Sequence, residues 1–401
     1  MKLLRVIGSA HPEAGGPVES ILIWGAVLKE HGCSIEVLSL DSPLEPWIES
    51  FPLKLYPMGL RNPRHHKWQK KIPWARYGYT PHFVPWLKEN ASRYDAIIID
   101  GFWEYTALGS WRALRNSQTP FFVFAHGMLD PYFIRTHPVK AAAKQIFWWL
   151  ADGRLAAHAE NVFFTSEEEC RLAQRSFWPF RGRGRIIPYG IADAPGDAAA
   201  QIESFRAAVP ELGGRPFLLF LSRIHPKKGC DLLIRAFAEA AGRHPGLDLV
   251  MAGPDSVGWA TDLRQMAAKL GVSNRIHWPG MLKGSSKWGA FRAAEAFVLP
   301  SHQENFGTVV AEAMACGTPV LTTDKVNIWR EVEASGAGLI AQDHLEGVKR
   351  LLNEFLSLPA ADKMAMGARA RQGFLGNFDL AAMAPQILQA LKAERTPLGL
   401  L

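Results

Sequence analysis

The chain has 401 residues, enough for two domains and too many for one ordinary hydrophobic core. Its 48% hydrophobic fraction, with Gly 35 and Pro 27 near average usage, excludes a disordered or collagen-like polymer. A formal charge of +7 is too modest by itself to indicate a nucleic-acid partner, and no apolar run is long enough to cross a membrane. The four cysteines, Cys33, Cys170, Cys230 and Cys316, are far apart, without metal-ligand spacing, and read as reduced thiols of a cytosolic protein. Met1–Ile7 is apolar but too short for a signal peptide.

In chain order, Leu3–Ile7 reads as a strand, residues 8–17 as a loop, Val18–His31 as a helix stopped by Gly32, and Cys33–Leu38 as the next strand. Gly15 and Gly16 open that helix. They could bring backbone N–H groups close to a phosphate or its sugar, or simply satisfy a turn. Residues 51–88 carry Lys54, Arg61, Arg64, Lys67, Lys70, Lys71, Arg76 and Lys88 and no acid, interleaved with Trp68, Trp74, Tyr77, Tyr79, Phe83 and Trp86. This irregular, basic, aromatic stretch suits an anionic membrane surface or lipid diphosphate, or equally a solvated insertion; single-stranded nucleic acid is the weakest of the three readings.

Tyr94–Asp100 is a strand ending in Gly101-Phe102-Trp103-Glu104, with a helix to about Arg115. The strand Pro120–Phe124 delivers His126 to its carboxyl end, where open α/β sheets bind ligands. His126 therefore reads as a contact to a bound sugar or phosphate, or as a structural histidine; His137 and His158 have no such placement. Residues 140–158 read as one long helix, with Phe147-Trp148-Trp149 more aromatic than a single core face needs. Asn161–Thr165 is a strand, and Ser166 with Glu169 forms a capping box. A second basic aromatic patch, 171–185, holds five arginines around Phe177-Trp178-Pro179-Phe180, and Arg185–Gly190 closes this half.

Alanine, glycine, aspartate and proline then dominate, which places a linker at 193–214 between domains at 1–192 and 215–378. Beyond it strands and helices alternate: strand Pro216–Leu221, helix Asp231–Ala241, strand Leu247–Ala252, helix Trp259–Leu270, strand Arg275–Trp278, helix Ser286–Ala294 and strand Ala296–Pro300. The pattern implies an α/β domain with a parallel sheet. Arg223 and Lys228 share the loop at the end of the first of these strands. A planar guanidinium and a mobile ammonium there could neutralise a diphosphate, or form a solvated basic loop. Glu304 and Glu312 bracket a short helix that starts near Gly307 and precedes the strand Val320–Thr323. The chain lacks both G-x-x-x-x-G-K-[ST] and a G-x-G-x-x-G after its first strand, which argues against a P-loop or an NAD domain.

Together, Arg223 with Lys228-Gly229, Ser301-x-x-Glu304-x-Phe306-Gly307, and Glu312-Ala313-x-Ala315-x-Gly317-x-Pro319-Val320 resemble the retaining, nucleotide-sugar-dependent glycosyltransferases of family 4, formerly group 1. His126-Gly127 and Gly15-Gly16 match the N-terminal features of that family. The resemblance implies the GT-B fold: two Rossmann-like domains facing each other, with a C-terminal helix, here 380–392, crossing back to complete the first. Pro385 would kink that helix or delay its start. The resemblance also implies that Arg223 and Lys228 hold the donor diphosphate, that Glu304 orients donor-sugar hydroxyls, and that Glu312 accepts from the ribose. Backbone groups at Asn305, Phe306, Gly307 and Thr308 would cap the diphosphate. Gly15, Gly16 and Gly253 would complete the donor site, and His126 would lie near the transferring sugar.

The resulting expectation is a retaining hexosyltransferase that uses a UDP-sugar, with a GDP-sugar as the second choice, and needs no tightly bound cofactor or metal. Its acceptor would be a glycan or a lipid-diphosphate-linked glycan in bacterial polysaccharide or exopolysaccharide assembly. The alternatives are a soluble sugar or sugar-phosphate acceptor, or a non-catalytic nucleotide-sugar-binding protein. The enzyme is expected in the cytoplasm or peripherally on the inner face of the plasma membrane, touching anionic lipid through 54–88 and 171–185, with no nucleic-acid partner.

Overall fold

The computed structural model describes residues 1–12, 15–60, 77–136, 138–187 and 189–392. Its contacts divide the chain into two units, Met1–Tyr189 with the segment from Leu380 onward, and Gly190–Asp379.

In the first unit, β1 (Lys2–Ile7), β2 (Ser34–Ser39), β3 (Lys54–Pro57), β4 (Ala96–Asp100), β5 (Phe121–Phe124), β6 (Val162–Phe164) and β7 (Gly184–Ile186) form a sheet ordered β3-β2-β1-β4-β5-β6-β7. Every pairing among these described strands is parallel. Ile97, Ile98, Ile99, Phe122 and Val123 are wholly buried, as expected of a parallel sheet covered on both faces. The strand order reverses between β1 and β4, so the loops after these two strands flank a crevice at their carboxyl ends.

The second unit repeats the plan. Strands β8 (Phe217–Leu221), β9 (Asp248–Ala252), β10 (Ile276–Gly280), β11 (Ala296–Leu299), β12 (Val320–Thr323) and β13 (Gly338–Ala341) lie in the order β10-β9-β8-β11-β12-β13, again all parallel. Here the order reverses between β8 and β11.

Several expectations gain detail. Within 193–214, where the sequence offers one short helical patch, the structure has a helix that packs on the second unit. Asp197 caps a helix, Ala198–Ala208, by accepting from Ala199 N–H at 2.9 Å. That helix packs on the helix Gly284–Ala293: Arg292 Nε donates to Gln201 Oε1 at 2.8 Å, and Phe205 stacks on Phe217 at 5.2 Å.

The described part of 51–88 holds two regular elements among its loops. Lys54–Pro57 pairs with β2, and the helix Phe83–Asn90 buries Phe83 and Leu87 while Trp86 packs on Tyr56. Lys54 lies near Glu36, at 3.9 Å. Arg61, Arg64, Lys67, Trp68, Lys70, Lys71, Trp74 and Arg76 lie outside the described residues, as does His137.

The expected helix over 140–158 runs unbroken from Pro138 to His158, with a π-helical turn at Trp148–Asp152 inside it. Leu380–Leu391 continues as a helix past Pro385, with no later start, and groups with the first unit, where it packs on the helix Gly16–Glu30.

Candidate functional site

The loops after β8 and β11 meet at the point where the second sheet reverses its order. Ser222 N–H donates to Ala252 O at 3.0 Å and Ile224 N–H to Pro254 O at 2.9 Å, so the loop after β8 leans on the end of β9. Gly253 is necessary for that approach. It has φ 143°, and a Cβ there would sit 1.8 Å from Ser222 O. His225 Nδ1 accepts from Lys227 N–H at 3.1 Å and opens one tight turn, Pro226–Lys228. Gly229 follows at φ 65°, where a Cβ would lie 2.0 Å from Pro300 O. His302 N–H donates to Lys227 O at 2.8 Å.

This stitching brings the Lys228 ammonium against the Glu304 carboxylate as an ion pair, with Lys228 buried and Glu304 half-buried. Lys227 Nζ stands 3.3 Å from Gln303 Oε1. Glu304 is fixed through its backbone: its N–H donates to Lys325 O at 2.9 Å, and its carbonyl accepts from Asn327 N–H at 3.1 Å. Asn305 Oδ1 accepts from Asn327 Nδ2 at 3.3 Å, and Phe306 is buried against Phe378. Gly307, in the left-handed region, caps the helix Thr308–Ala315. The free N–H groups of that first turn carry the positive end of the helix dipole.

Glu312 is buried on this helix, and Lys287 Nζ stands 2.6 Å from its Oε1. Arg223 is exposed and has no recorded ion-pair partner among the described residues. Burial, with Arg223 and Lys227 nearby, pushes the Lys228 ammonium down to about 8. Burial and the same surrounding cations also lower His225. Crowded, partly desolvated cations of this kind are relieved by a polyanion.

In the first unit, His126 follows β5 at φ 48°, an uncommon conformation for a residue with a side chain. Its ring stacks on Phe124, with centroids 4.5 Å apart, and its Nε2 lies 2.7 Å from Asp100 Oδ1. Asp100 is fully buried, and Arg5 Nε donates to its Oδ2 at 2.8 Å. Burial alone would raise the Asp100 carboxyl, but the Arg5 charge and the His126 hydrogen bond hold it below the usual range. Arg5 in turn lies 5.1 Å from the Trp24 ring centroid.

Glu169 does not complete a capping box. Ser166 Oγ accepts from Glu169 N–H at 3.1 Å, but the Glu169 carboxylate accepts from Thr165 N–H and Gly127 N–H, both at 2.6 Å. It therefore clamps the residue next to His126. Gly15 caps the helix Gly16–Glu30, and Tyr189 Oη donates to Gly16 O at 3.0 Å.

The structure thus joins Lys228 to Glu304 directly, places Glu312 on the adjoining helix, and holds His126, Gly15 and Gly16 on the first unit. Sequence reasoning missed Arg5, Asp100, Lys287 and the clamp by Glu169. One signal was available. An arginine inside Leu3-Leu4-Arg5-Val6-Ile7 must be buried with its strand, and a buried guanidinium requires a carboxylate. Among the described residues, no group of three or more His, Cys, Asp or Glu side chains is placed to hold a metal.

Two family models match the chain. A glycosyl transferase 4-like domain covers residues 15–190, and a domain described as glycosyl transferases group 1 covers 201–373. A D-inositol 3-phosphate glycosyltransferase of Nocardia farcinica is 33% identical over 49% of this chain and 44% of its own length. The chain spans about half the length of such curated relatives. Among solved structures, Anabaena Alr3699/HepE in complex with UDP is similar over 98% of this chain and 99% of that one, with a TM-score of 0.72 and 19% identity. WaaG, a glycosyltransferase involved in lipopolysaccharide biosynthesis, has a TM-score of 0.66 and 16% identity, covering 98% and 99%.

These whole-chain likenesses, with two Rossmann-like parallel-sheet units, define the GT-B fold. On that fold the first unit matches the model of a glycosyl transferase 4-like domain and the second that of the glycosyl transferases group 1.

Proposed function

We propose that this protein is a retaining glycosyltransferase that moves a sugar from a nucleoside diphosphate, UDP before GDP, to a glycan or lipid-linked acceptor in polysaccharide or glycolipid assembly. The observation that carries this reading is the contact between Lys228 and Glu304, made by loops after the two central strands beside a helix N-terminus. The UDP complex of the similarly folded HepE supports the choice of base. The enzyme would work in the cytoplasm or against the inner face of the plasma membrane.

In this reading Arg223, Lys228 and the N–H groups around Phe306, Gly307 and Thr308 surround the leaving diphosphate. Charge builds on that diphosphate as its bond to the anomeric carbon breaks, so fixed donors help most at the transition state. Glu304, tethered through its backbone, accepts from donor-sugar hydroxyls, and Glu312 accepts from the ribose. Gly253 and Asn305 shape the loops around them, and Gly15, Gly16 and His126 serve the transferring sugar from the first unit. The glutamates bind hydroxyls, and neither is a nucleophile. The diphosphate oxygen takes the acceptor proton.

A thermal-shift panel of UDP- and GDP-sugars tests the donor, because a ligand of the folded state stabilises it according to its affinity. An anomeric assignment of the product tests retention. A shift with no nucleotide sugar would sink the reading. A second acceptor class, a soluble sugar phosphate, is favoured by the relatives named for D-inositol 3-phosphate transfer. Competition between soluble phosphorylated polyols and lipid-linked acceptors separates the two. A non-catalytic binding protein would shift with nucleotide sugar but neither hydrolyse nor transfer it.

A further inference from the structure

The helix Pro138–Phe147 and the turn after it present their apolar residues to the outside. Val139, Ala142, Ala143, Ile146, Trp149 and Leu150 recur at helical spacing, and all are exposed. Val139 is 85% exposed, Leu150 59% and Trp149 50%. The opposite side holds the polar groups. Lys144 and Gln145 are half-buried, and Asp152 is fully buried, accepting from Trp103 N–H at 3.0 Å. Trp148, also buried, anchors the turn among Trp103, Phe177 and Phe180.

A second tryptophan is clasped beside the first. Trp178 N–H donates to Gln145 Oε1 at 3.1 Å, and Trp178 O accepts from Gln145 Nε2 at 2.7 Å and Trp149 Nε1 at 2.8 Å. Trp178 itself is 76% exposed. An outward apolar face with paired indoles is larger than isolated surface hydrophobes account for.

The surrounding charge identifies what this face meets. Asp152 is the single acid in residues 131–158, and it is buried; residues 170–187 hold five arginines and no acid. Lys140, Arg154, Arg175 and Arg181 are exposed. A second copy of the chain docking on this face across a twofold axis would set like cations against each other. Anionic lipid offers the complementary charge. Tryptophan favours the membrane–water boundary, and basic side chains reach headgroup phosphates. No described helix is long and apolar enough to cross a membrane, so this one would lie in the interface plane.

We propose that the outward face of Pro138–Leu150, with Trp178, docks on an anionic bilayer. Of the basic aromatic stretches read from sequence, 171–185 contributes here. It does so through Trp178 and its arginines, since Phe177 and Phe180 pack inward. The docking does not depend on the transfer reaction. If both hold, the acceptor is lipid-linked.

The test is co-sedimentation at low salt with phosphatidylcholine vesicles, with and without phosphatidylglycerol. The protein should pellet with the mixed vesicles and remain soluble with neutral ones. The double variant Ile146→Asp/Leu150→Asp, both at exposed positions, should weaken partitioning at least about tenfold. Arg154→Glu/Arg175→Glu should do likewise. Each variant should keep the wild-type thermal shift with UDP. Wild-type protein left in the supernatant, or equal pelleting with neutral vesicles, overturns the proposal. So does a solution dimer that Ile146→Asp/Leu150→Asp dissociates. A UDP shift without vesicle binding defeats only the docking, and vesicle binding without any nucleotide-sugar shift defeats only the transferase reading.

Discussion

The two units share one plan but hold their candidate residues differently. In the second, Lys228 and Glu304 follow β8 and β11, the adjacent strands at which the order reverses, and they meet directly. In the first, Gly15 and Gly16 follow β1, whereas His126 follows β5, one strand beyond the reversal. What links that region is Asp100 at the end of β4, bridging Arg5 on β1 to His126. The second unit buries Lys228 against Glu304 and leaves Arg223 exposed beside that pair. The first unit has already neutralised its buried charges internally. The same architecture therefore gathers a partly open ion pair in one case and a closed, buried network in the other.

Four measurements can break or sharpen this contrast. The largest effect is expected from Asp100→Ala, which strands the buried Arg5 charge and should cost about 3–5 kcal/mol in denaturant unfolding. An unchanged midpoint would mean the network does not rest on that pair. Next, Lys228→Ala should lower turnover by roughly two to three orders of magnitude, with thermal stability retained. Surviving turnover with only weaker donor binding would remove Lys228 from transition-state stabilisation, and a collapse in stability would erase the difference between the units.

The third concerns Asp152, which burial pushes up to about 7. Its folded value lies above the unfolded carboxylate value of about 3.9. The stability it contributes is therefore fully present below about 4 and is lost as pH rises toward about 7. Asp152→Asn does not titrate, so it should exceed the wild type by about 2–4 kcal/mol above neutrality, with the gap closing near pH 4. Parallel melting-temperature curves across that window would contradict a buried, proton-holding carboxyl.

The smallest effect concerns Lys228 itself. A UDP-sugar, a dianion across this range, binds its charged form, so UDP-sugar affinity should be flat below about 8 and weaken as pH rises beyond it. Lys228→Arg stays charged and should remove that slope, which calorimetric titration across the range would read. Equal slopes in both proteins would place the titrating group elsewhere.

Much of the second unit was legible because its signals are local. Phe217–Leu221 and Ala296–Leu299 are apolar runs of strand length, too short for a helix, and each is followed within a few residues by the groups in question. The first unit was less readable. The β3 strand Lys54–Pro57 and the helix Phe83–Asn90 lay hidden in basic, proline-rich sequence, because their burial depends on β2 and on the Tyr56–Trp86 contact. The helical patch in 193–214 was legible from its alanines, but its packing against Gly284–Ala293 was not.

Strand runs, the alternation that makes both sheets parallel, and the spacing of Arg223, Lys228, Glu304 and Glu312 all follow from neighbours in the chain, where periodicity and side-chain type are sufficient. Which loops touch does not. Lys228 meets Glu304, Lys287 meets Glu312, and Asp100 joins Arg5 to His126 because strands distant in sequence become neighbours in a sheet. The same holds for Pro138–Leu150. Its apolar residues could have been spaced for a core, and only packing, with Trp148 and Asp152 turned inward, left them facing out.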